Sequence, residues 1–302
     1  TTHAVWPVLT VPGPYGAFLA ALAPAGVDAG LRRRLALEAF RHTASYDTAI
    51  SAWLEERLEA PLRLELPLRQ SLRYGENPHQ QAGWYSEPGV GWGGARQLQG
   101  KELSFNNLLD LDAALATVRE FGYGADVPPA AVVVKHTNPC GVATADELAE
   151  AYRLAREADA TSAFGGIVAL NREVDLATAE VVAETFIECV VAPRYTEEAL
   201  ARLQRKKRLR ILATGAWLGA DHPELHMKRV GGGLVVHDLD ATAGGEAEGG
   251  SVVTQRAPTG EEGAALAFAW RVCKHVKSNA IVFAKADRTV GVGAGQMSRV
   301  VA

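Results

Sequence analysis

The sequence predicts an α/β protein built on a largely parallel or mixed sheet, and three observations carry that prediction. Ala130 to Val134 is an unbroken apolar run after Pro128-Pro129, as expected of a strand buried on both faces. Short apolar runs recur at Gly166 to Leu170, Cys189 to Ala192 and Leu209 to Ala213. The stretches between them have helical spacing, so strand and helix alternate along the chain.

The elements follow in order. Residues 1 to about 65 read as one unit. Arg32-Arg33-Arg34 leads into a long amphipathic helix whose expected buried stripe is Ala39, Thr43, Tyr46, Ile50 and Trp53. Pro61 stops that helix, and a linker runs through Pro67. Leu108, Leu111, Leu115 and Val118 mark a helix entered through Asn106-Asn107, both good N-caps. Thr144 with Glu147 has the spacing of a capping box, opening a helix to about Ala158. A helix starting near Asp175 joins the second and third apolar runs. A second round begins near Gly231-Gly232-Gly233, with a strand at Leu234 to His237, a mobile acidic loop at Ala241 to Gly250, a helix from about Gly260 to Val276 and a strand at Ala280 to Ala284.

Composition narrows the function. The chain has 302 residues, 22% charged and 48% apolar, with formal net charge −4. That excludes collagenous and disordered classes and any nucleic-acid coat, so an anionic ligand must be met by a local basic site. Cys140, Cys189 and Cys273 are too scattered for a disulfide framework or a CxxC metal clip, which predicts a reducing, cytoplasmic setting. No run of about 18 apolar residues is present, so no membrane span or membrane partner is expected. A chain opening Thr1-Thr2-His3 without methionine reads as a fragment.

The strongest local signal is Lys135-His136-Thr137-Asn138-Pro139-Cys140-Gly141, directly after the buried strand. Ligands of open α/β sheets bind beyond the carboxyl ends of the strands. A cation beside the imidazole lowers its pKa and keeps it ready to act as a base, whereas the plain alternative is a solvated turn. Arg73-Tyr74 offers a phosphate fork and a stacking ring, or an ordinary polar loop. Ser162-Ala163-Phe164-Gly165-Gly166 lets backbone amides approach a ligand, or merely bends. Lys277-Ser278-Asn279 and the glycine loop Gly291 to Arg299 add a basic group, an amide and a terminal arginine. Gly94 to Lys101 misses the P-loop spacing, and neither HxE nor PCxxC of the zinc deaminases occurs, so zinc is not expected. Arg205-Lys206-Lys207-Arg208 reads as the solvated end of a helix rather than a nucleic-acid patch. His222 and His226 would bind metal only on a helix, against which Pro223 argues.

In their order, SLRYGENPHQ, GKELSFNNLLDLDAA, VVVKHTNPCGVA, DATSAFGGIVALN, VVAPRY, RVGGGLVV, KSNAIVFAK and VGVGAGQMSR resemble the bifunctional purine-biosynthesis family that joins AICAR transformylase to IMP cyclohydrolase. The resemblance runs from about Arg32 to Arg299. It implies two cytidine-deaminase-like, zinc-free α/β units preceded by the C-terminal remnant of a smaller α/β domain. The implied divisions are 1–65 for the cyclohydrolase remnant and linker helix, 66–222 for the first transformylase subdomain and 223–302 for an incomplete second one. It implies formyl transfer from 10-formyltetrahydrofolate to the 5-amino group of AICAR, giving FAICAR, in a homodimer with sites across the subunit interface, and it admits a monovalent cation. By position, His136 resembles the general base and Lys135 the group that stabilises developing charge. Arg73, Tyr74, Gly165, Glu188, Asn279 and Arg299 resemble nucleotide-binding residues. No cyclohydrolase residue is implied within this chain, and the isolated stretch is expected to be weakly active or inactive. The alternative reading is a catalytically inactive nucleotide-binding or dimerisation fragment of the same family.

Overall fold

The apolar run after Pro128-Pro129 becomes β4 (Ala130–Lys135), a central strand of a six-stranded sheet. The structure, a computed structural model, describes residues 5–22, 26–54, 62, 64–89, 91–124, 126–215, 225–240 and 249–300. The chain divides into two compact units, Thr1–Glu65 and Leu66–Ala302.

The first unit holds α1 (Tyr15–Leu22) and α2 (Ala29–Leu54). Arg32, Arg33 and Arg34 lie inside α2 rather than before it. The stripe expected to be buried is not: Thr43, Tyr46, Ile50 and Trp53 are exposed and Ala39 is only half-buried. Leu31, Leu35 and Ala36, in the first two turns, are the buried residues instead. Periodicity marks a face able to be covered, but burial needs a partner surface, and from Arg41 to Ile50 every residue is exposed. Pro61 lies outside the described residues, as does most of the acidic segment at 241–250.

In the second unit, β1 (Leu68–Leu72) and β2 (Ala82–Tyr85) form an antiparallel pair, and β3 (Arg96–Gln99) joins the main sheet. After α3 (Phe105–Arg119) and β4 come β5 (Asn138–Thr144), α4 (Leu148–Ala158), the short α5 (Ala160–Ala163) and β6 (Ile167–Leu170). Then follow α6 (Leu176–Glu184), β7 (Cys189–Ala192), α7 (Glu197–Gln204) and β8 (Arg210–Ala213). The strand order is β3-β8-β7-β6-β4-β5, with β6, β7 and β8 parallel and β4 antiparallel to β6, so the sheet is mixed. Alternation along each strand feeds two cores. Ala131, Val133, Val168, Val190 and Ile211 pack under α4, α6 and α7. Val132, Val134, Ile167, Val191 and Leu212 pack with Leu111 and Val118 of α3.

Two capping expectations are corrected. Ser104, not Asn106, caps α3: its hydroxyl accepts the Asn107 N–H, while the Asn107 side chain accepts the Ser104 N–H. Thr144 caps nothing, because it is the last residue of β5, and its N–H donates to the Asp287 carbonyl; Glu147 precedes α4 without a side-chain cap. The hairpin from β4 outcompetes the local capping box for that threonine.

The second round supplies β9 (Leu225–Val230) and β10 (Gly233–Asp238), an exposed hairpin, then α8 (Gly260–Cys273), β11 (Ile281–Ala284) and β12 (Thr289–Gly293). A capping box, Thr259 with Glu262, opens α8, which ends at Cys273 rather than Val276. Val276 is nevertheless buried in the same core as Phe268 and Val272. The buried Thr289 hydroxyl accepts the Val142 N–H at 3.0 Å, docking the β11–β12 hairpin on the β5 edge.

Glu120, at the end of α3, gathers Lys274 Nζ and His275 Nε2, each at 2.9 Å, and so ties α3 to the end of α8. Burial pushes its carboxyl up, but hydrogen bonds from His275 and Lys274 outweigh this and hold it below its ordinary value. A depressed folded-state pKa contributes stability above the unfolded value of 4.5, and that stability is lost as pH falls through the folded value. Glu120→Gln is expected to lower unfolding stability by about 1.5–3 kcal/mol near neutral pH, the worth of hydrogen bonds to a charged group. Urea denaturation should show the gap closing once the pH lies below both pKa values; a gap independent of pH would contradict it.

Candidate functional site

The site grows from the end of β4. Lys135 pairs with Asn138 across a two-residue hairpin, so His136 and Thr137 must form the turn. Both adopt left-handed backbone, with φ of 51° and 61°. Such a turn suits the twist of a hairpin, but the left-handed conformation costs roughly 1–2 kcal/mol per non-glycine residue. Three hydrogen bonds offset that cost. The Asp110 carboxylate, from α3, accepts the Thr137 N–H at 2.7 Å. The Thr137 hydroxyl and the Asn138 amide donate to the His136 carbonyl at 2.7 and 3.0 Å. His136 is thereby presented to solvent on a turn held by three hydrogen bonds.

Lys135 is half-buried, and its ammonium donates to the carbonyls of Phe164 and Gly165, both at 3.0 Å. An ammonium has three donors, so one is left for a ligand. Gly165 is required here: its φ is +69°, and a Cβ would fall 3.2 Å from Lys135 Nζ and 3.4 Å from the Phe186 ring. Because β4 runs against β6, the carboxyl end of β4 coincides with the amino ends of β6, β7 and β8. The rule about carboxyl ends of parallel strands therefore finds the right rim for a different reason.

Lys135 and His136 line a cavity of about 420 Å³ with Asn138, Pro139, Cys140, Ala158, Asp159, Ser162, Gly291, Val292 and Ala294. Three motifs separated in sequence meet there: the KHTNPC turn, the serine of the SAFGG segment and the GVGAG stretch. The last is not the glycine loop expected, since Gly291 and Gly293 belong to β12, paired with Phe283 and Ile281. Cys140 is no nucleophile: burial, then the nearby Asp159 carboxylate, pushes its thiol up to about 12.

The other anticipated residues are placed less uniformly. Asn279 binds the carbonyls of Gln296 and Met297, next to the Ala294 wall, while the Lys277 N–H donates to the Asn138 side chain at 3.1 Å. Glu188 stands on the same rim but pairs with Arg210 at 3.2 Å rather than lining the cavity. Arg73 lies over the Tyr74 ring at 5.3 Å, just past β1, and neither lines the cavity. Arg299 is exposed and outside it as well. His226 is on a strand opposite His237, with ring centroids 5.4 Å apart, and His222 lies outside the described residues. Among the described residues no group of three or more His, Cys, Asp or Glu is placed to hold a metal. The three cysteines are free, and no described helix is long and apolar enough to cross a membrane.

Sequence reasoning missed Asp110 and Asp159. Asp110 is a polar residue beside the apolar stripe of α3, a signal too common to single out. Its contact makes it a positioning residue: Asp110→Ala should loosen the turn and reduce the activity proposed below for His136 on the order of tenfold, whereas Asp110→Asn, which keeps an acceptor, should restore most of it. Equal losses in both variants, measured by steady-state kinetics, would contradict a positioning role.

Comparisons with known proteins now bear on this geometry. A family model described as AICARFT/IMPCHase bienzyme matches residues 2–302. The chain is 59% identical to the bifunctional purine biosynthesis protein PurH of Sorangium cellulosum (strain So ce56), over 99% of the chain and 60% of that protein. It is 57% identical to the PurH protein of Prochlorococcus marinus (strain MIT 9303) and 54% to that of Synechococcus sp. (strain CC9902), in each case over 99% of the chain and 59% of the relative. The chain thus spans about 60% of the length of these relatives. A match over nearly every residue, joining motifs that meet at one cavity, leads to a single conclusion: the chain belongs to the AICARFT/IMPCHase bienzyme family.

Proposed function

We propose that residues 66–302 carry formyl-transfer chemistry, moving a formyl group from 10-formyltetrahydrofolate to the 5-amino group of AICAR to give FAICAR. The observation that carries this reading is the Lys135–His136 pair at the mouth of the cavity, one side chain solvent-facing and the other held by two carbonyls. The amine is conjugated with its ring and carboxamide and is a poor nucleophile. His136 takes its proton as the nitrogen attacks the formyl carbon; the bond from that carbon to the folate nitrogen then breaks, and the leaving nitrogen gains a proton. Such base catalysis contributes roughly 10²–10⁴ in rate. The remaining donor of Lys135 stabilises negative charge on the formyl oxygen and assists departure of the folate nitrogen.

The proposal extends to organisation: 1–65 as the end of a cyclohydrolase domain, then two cytidine-deaminase-like subdomains divided near residue 222, in a homodimer whose sites are shared between copies. Arg73, Tyr74 and Arg299, which do not line this cavity, would then serve nucleotide binding. Within one family, the test is Lys135→Met in the protein containing this chain. Turnover should fall strongly while AICAR affinity by calorimetry changes little; parallel losses would make Lys135 a substrate anchor instead.

A further inference from the structure

The β9–β10 hairpin carries a feature that formyl transfer does not use. His226, which could share a metal with His222 only on a helix, instead stands directly opposite His237 across the hairpin. Both side chains are exposed, and their ring centroids lie 5.4 Å apart with the ring planes 37° from parallel. The framework under them is well defined. Gly231 and Gly232 close a two-residue turn, with Gly232 at φ +80°, and the strands pair without a break from Val230–Gly233 to Leu225–Asp238. One tautomer is already selected. His237 Nδ1 lies 2.8 Å from the Asp238 carbonyl oxygen, which can only accept, so Nδ1 carries the proton and the Nε2 lone pair is left free. A hydrogen bond from one ring nitrogen to a carbonyl is the usual way in which a metal-binding histidine is oriented and made more basic. Among the described residues no hydrogen bond engages the His226 ring, so either of its nitrogens can turn toward a shared ion.

The ring spacing matches a chelate. Zinc–nitrogen bonds of about 2.0–2.1 Å put the metal about 3.2 Å from each imidazole centroid, so a tetrahedral N–Zn–N angle separates the centroids by about 5.2 Å. A right-angled pair, as in square-planar or octahedral sites, would separate them by only about 4.5 Å. The observed 5.4 Å fits the tetrahedral case. Two imidazoles leave two positions for water or a small anion, in keeping with the lack of a third His, Cys, Asp or Glu beside them among the described residues. Alternation puts Lys228 on the same face of the hairpin, where it is the one charged side chain of β9 and β10 besides the histidines. Its flexible stem lets the ammonium stay in solvent, away from a bound cation.

We infer that His226 and His237 form a two-histidine chelate for a divalent first-row transition-metal ion in tetrahedral coordination, of which zinc is the type, with solvent completing the shell. Neither residue lines the cavity of Lys135 and His136, so the site stands independently of the formyl-transfer reading. Calorimetric titration of the intact, EDTA-treated protein with zinc chloride should show one ion bound per chain. His226→Asn and His237→Asn, both at exposed positions, should each weaken that binding on the order of tenfold or more, since the second ligand no longer acts within the same molecule. Circular dichroism unchanged from the parent protein shows that the loss belongs to the imidazole and not to the fold. Cobalt(II) in place of zinc should give the intense visible absorption of a tetrahedral ion in the parent protein, and lose it in both variants. The inference is overturned if no zinc binds, if either variant binds zinc as tightly as the parent, or if the cobalt spectrum is that of an octahedral ion. One zinc per two chains would also overturn it, because the ion would then bridge copies. His136→Ala should keep zinc binding while losing turnover; loss of zinc binding there would place the ion at the other site.

Discussion

His136→Ala is expected to reduce the proposed formyl transfer by about 10²–10⁴-fold, equivalent to about 3–5 kcal/mol of barrier, with AICAR affinity little changed. The expectation follows from placement. The imidazole is carried on a two-residue turn whose left-handed backbone is held by Asp110, Thr137 and Asn138, so truncation at Cβ removes the ring without disturbing the hairpin. Steady-state kinetics beside calorimetry checks it. Turnover surviving within a small factor would remove His136 from the chemistry and with it the central step of the proposed reaction.

Gly141→Ala is expected to produce the largest loss of stability. A Cβ at Gly141 would sit 1.8 Å from the Ala155 carbonyl oxygen and 2.8 Å from its carbon, both backbone atoms of α4. Neither is the tip of a flexible side chain, so α4 must move off β5 for one methyl group to fit. Overpacking of rigid neighbours costs typically 1–3 kcal/mol, and a clash with helix backbone puts this case at about 3 kcal/mol or more. The damage also reaches the site, because Cys140 and Ala158, on either side of that contact, both line its cavity. The chemical-denaturation midpoint is the readout; a midpoint equal to that of the parent protein would show that α4 tolerates the displacement.

The buried strands were legible because a segment covered on both faces must be apolar, and β6 and β7 are apolar throughout while β4 and β8 are so apart from Lys135 and Arg210 at their ends. The start of α6 near Asp175 was legible because it is set locally: the Asp175 carboxylate accepts the Thr178 N–H without reference to any other part of the chain. By contrast, β5 was hidden inside Asn138-Pro139-Cys140-Gly141, whose polar and turn-forming residues disguise a strand that a bulge at Cys140 fits to its partner. The exposed stripe of α2 failed in the opposite direction, an apolar pattern with nothing described to cover it.

By itself, the sequence determined the buried strands β4, β6, β7 and β8 and helices such as α3 and α8, and that a lysine and a histidine emerge together from a buried strand, since both follow from periodicity and nearest-neighbour hydrogen bonding. Only the tertiary structure decided that β4 runs against β6, that Gly291 and Ala294 close the same cavity as His136, and that Asp110 braces the turn. Those outcomes depend on pairings such as Thr289 with Val142, in which a side-chain hydroxyl satisfies the backbone of a strand remote in sequence. No local pattern records a partner that far along the chain.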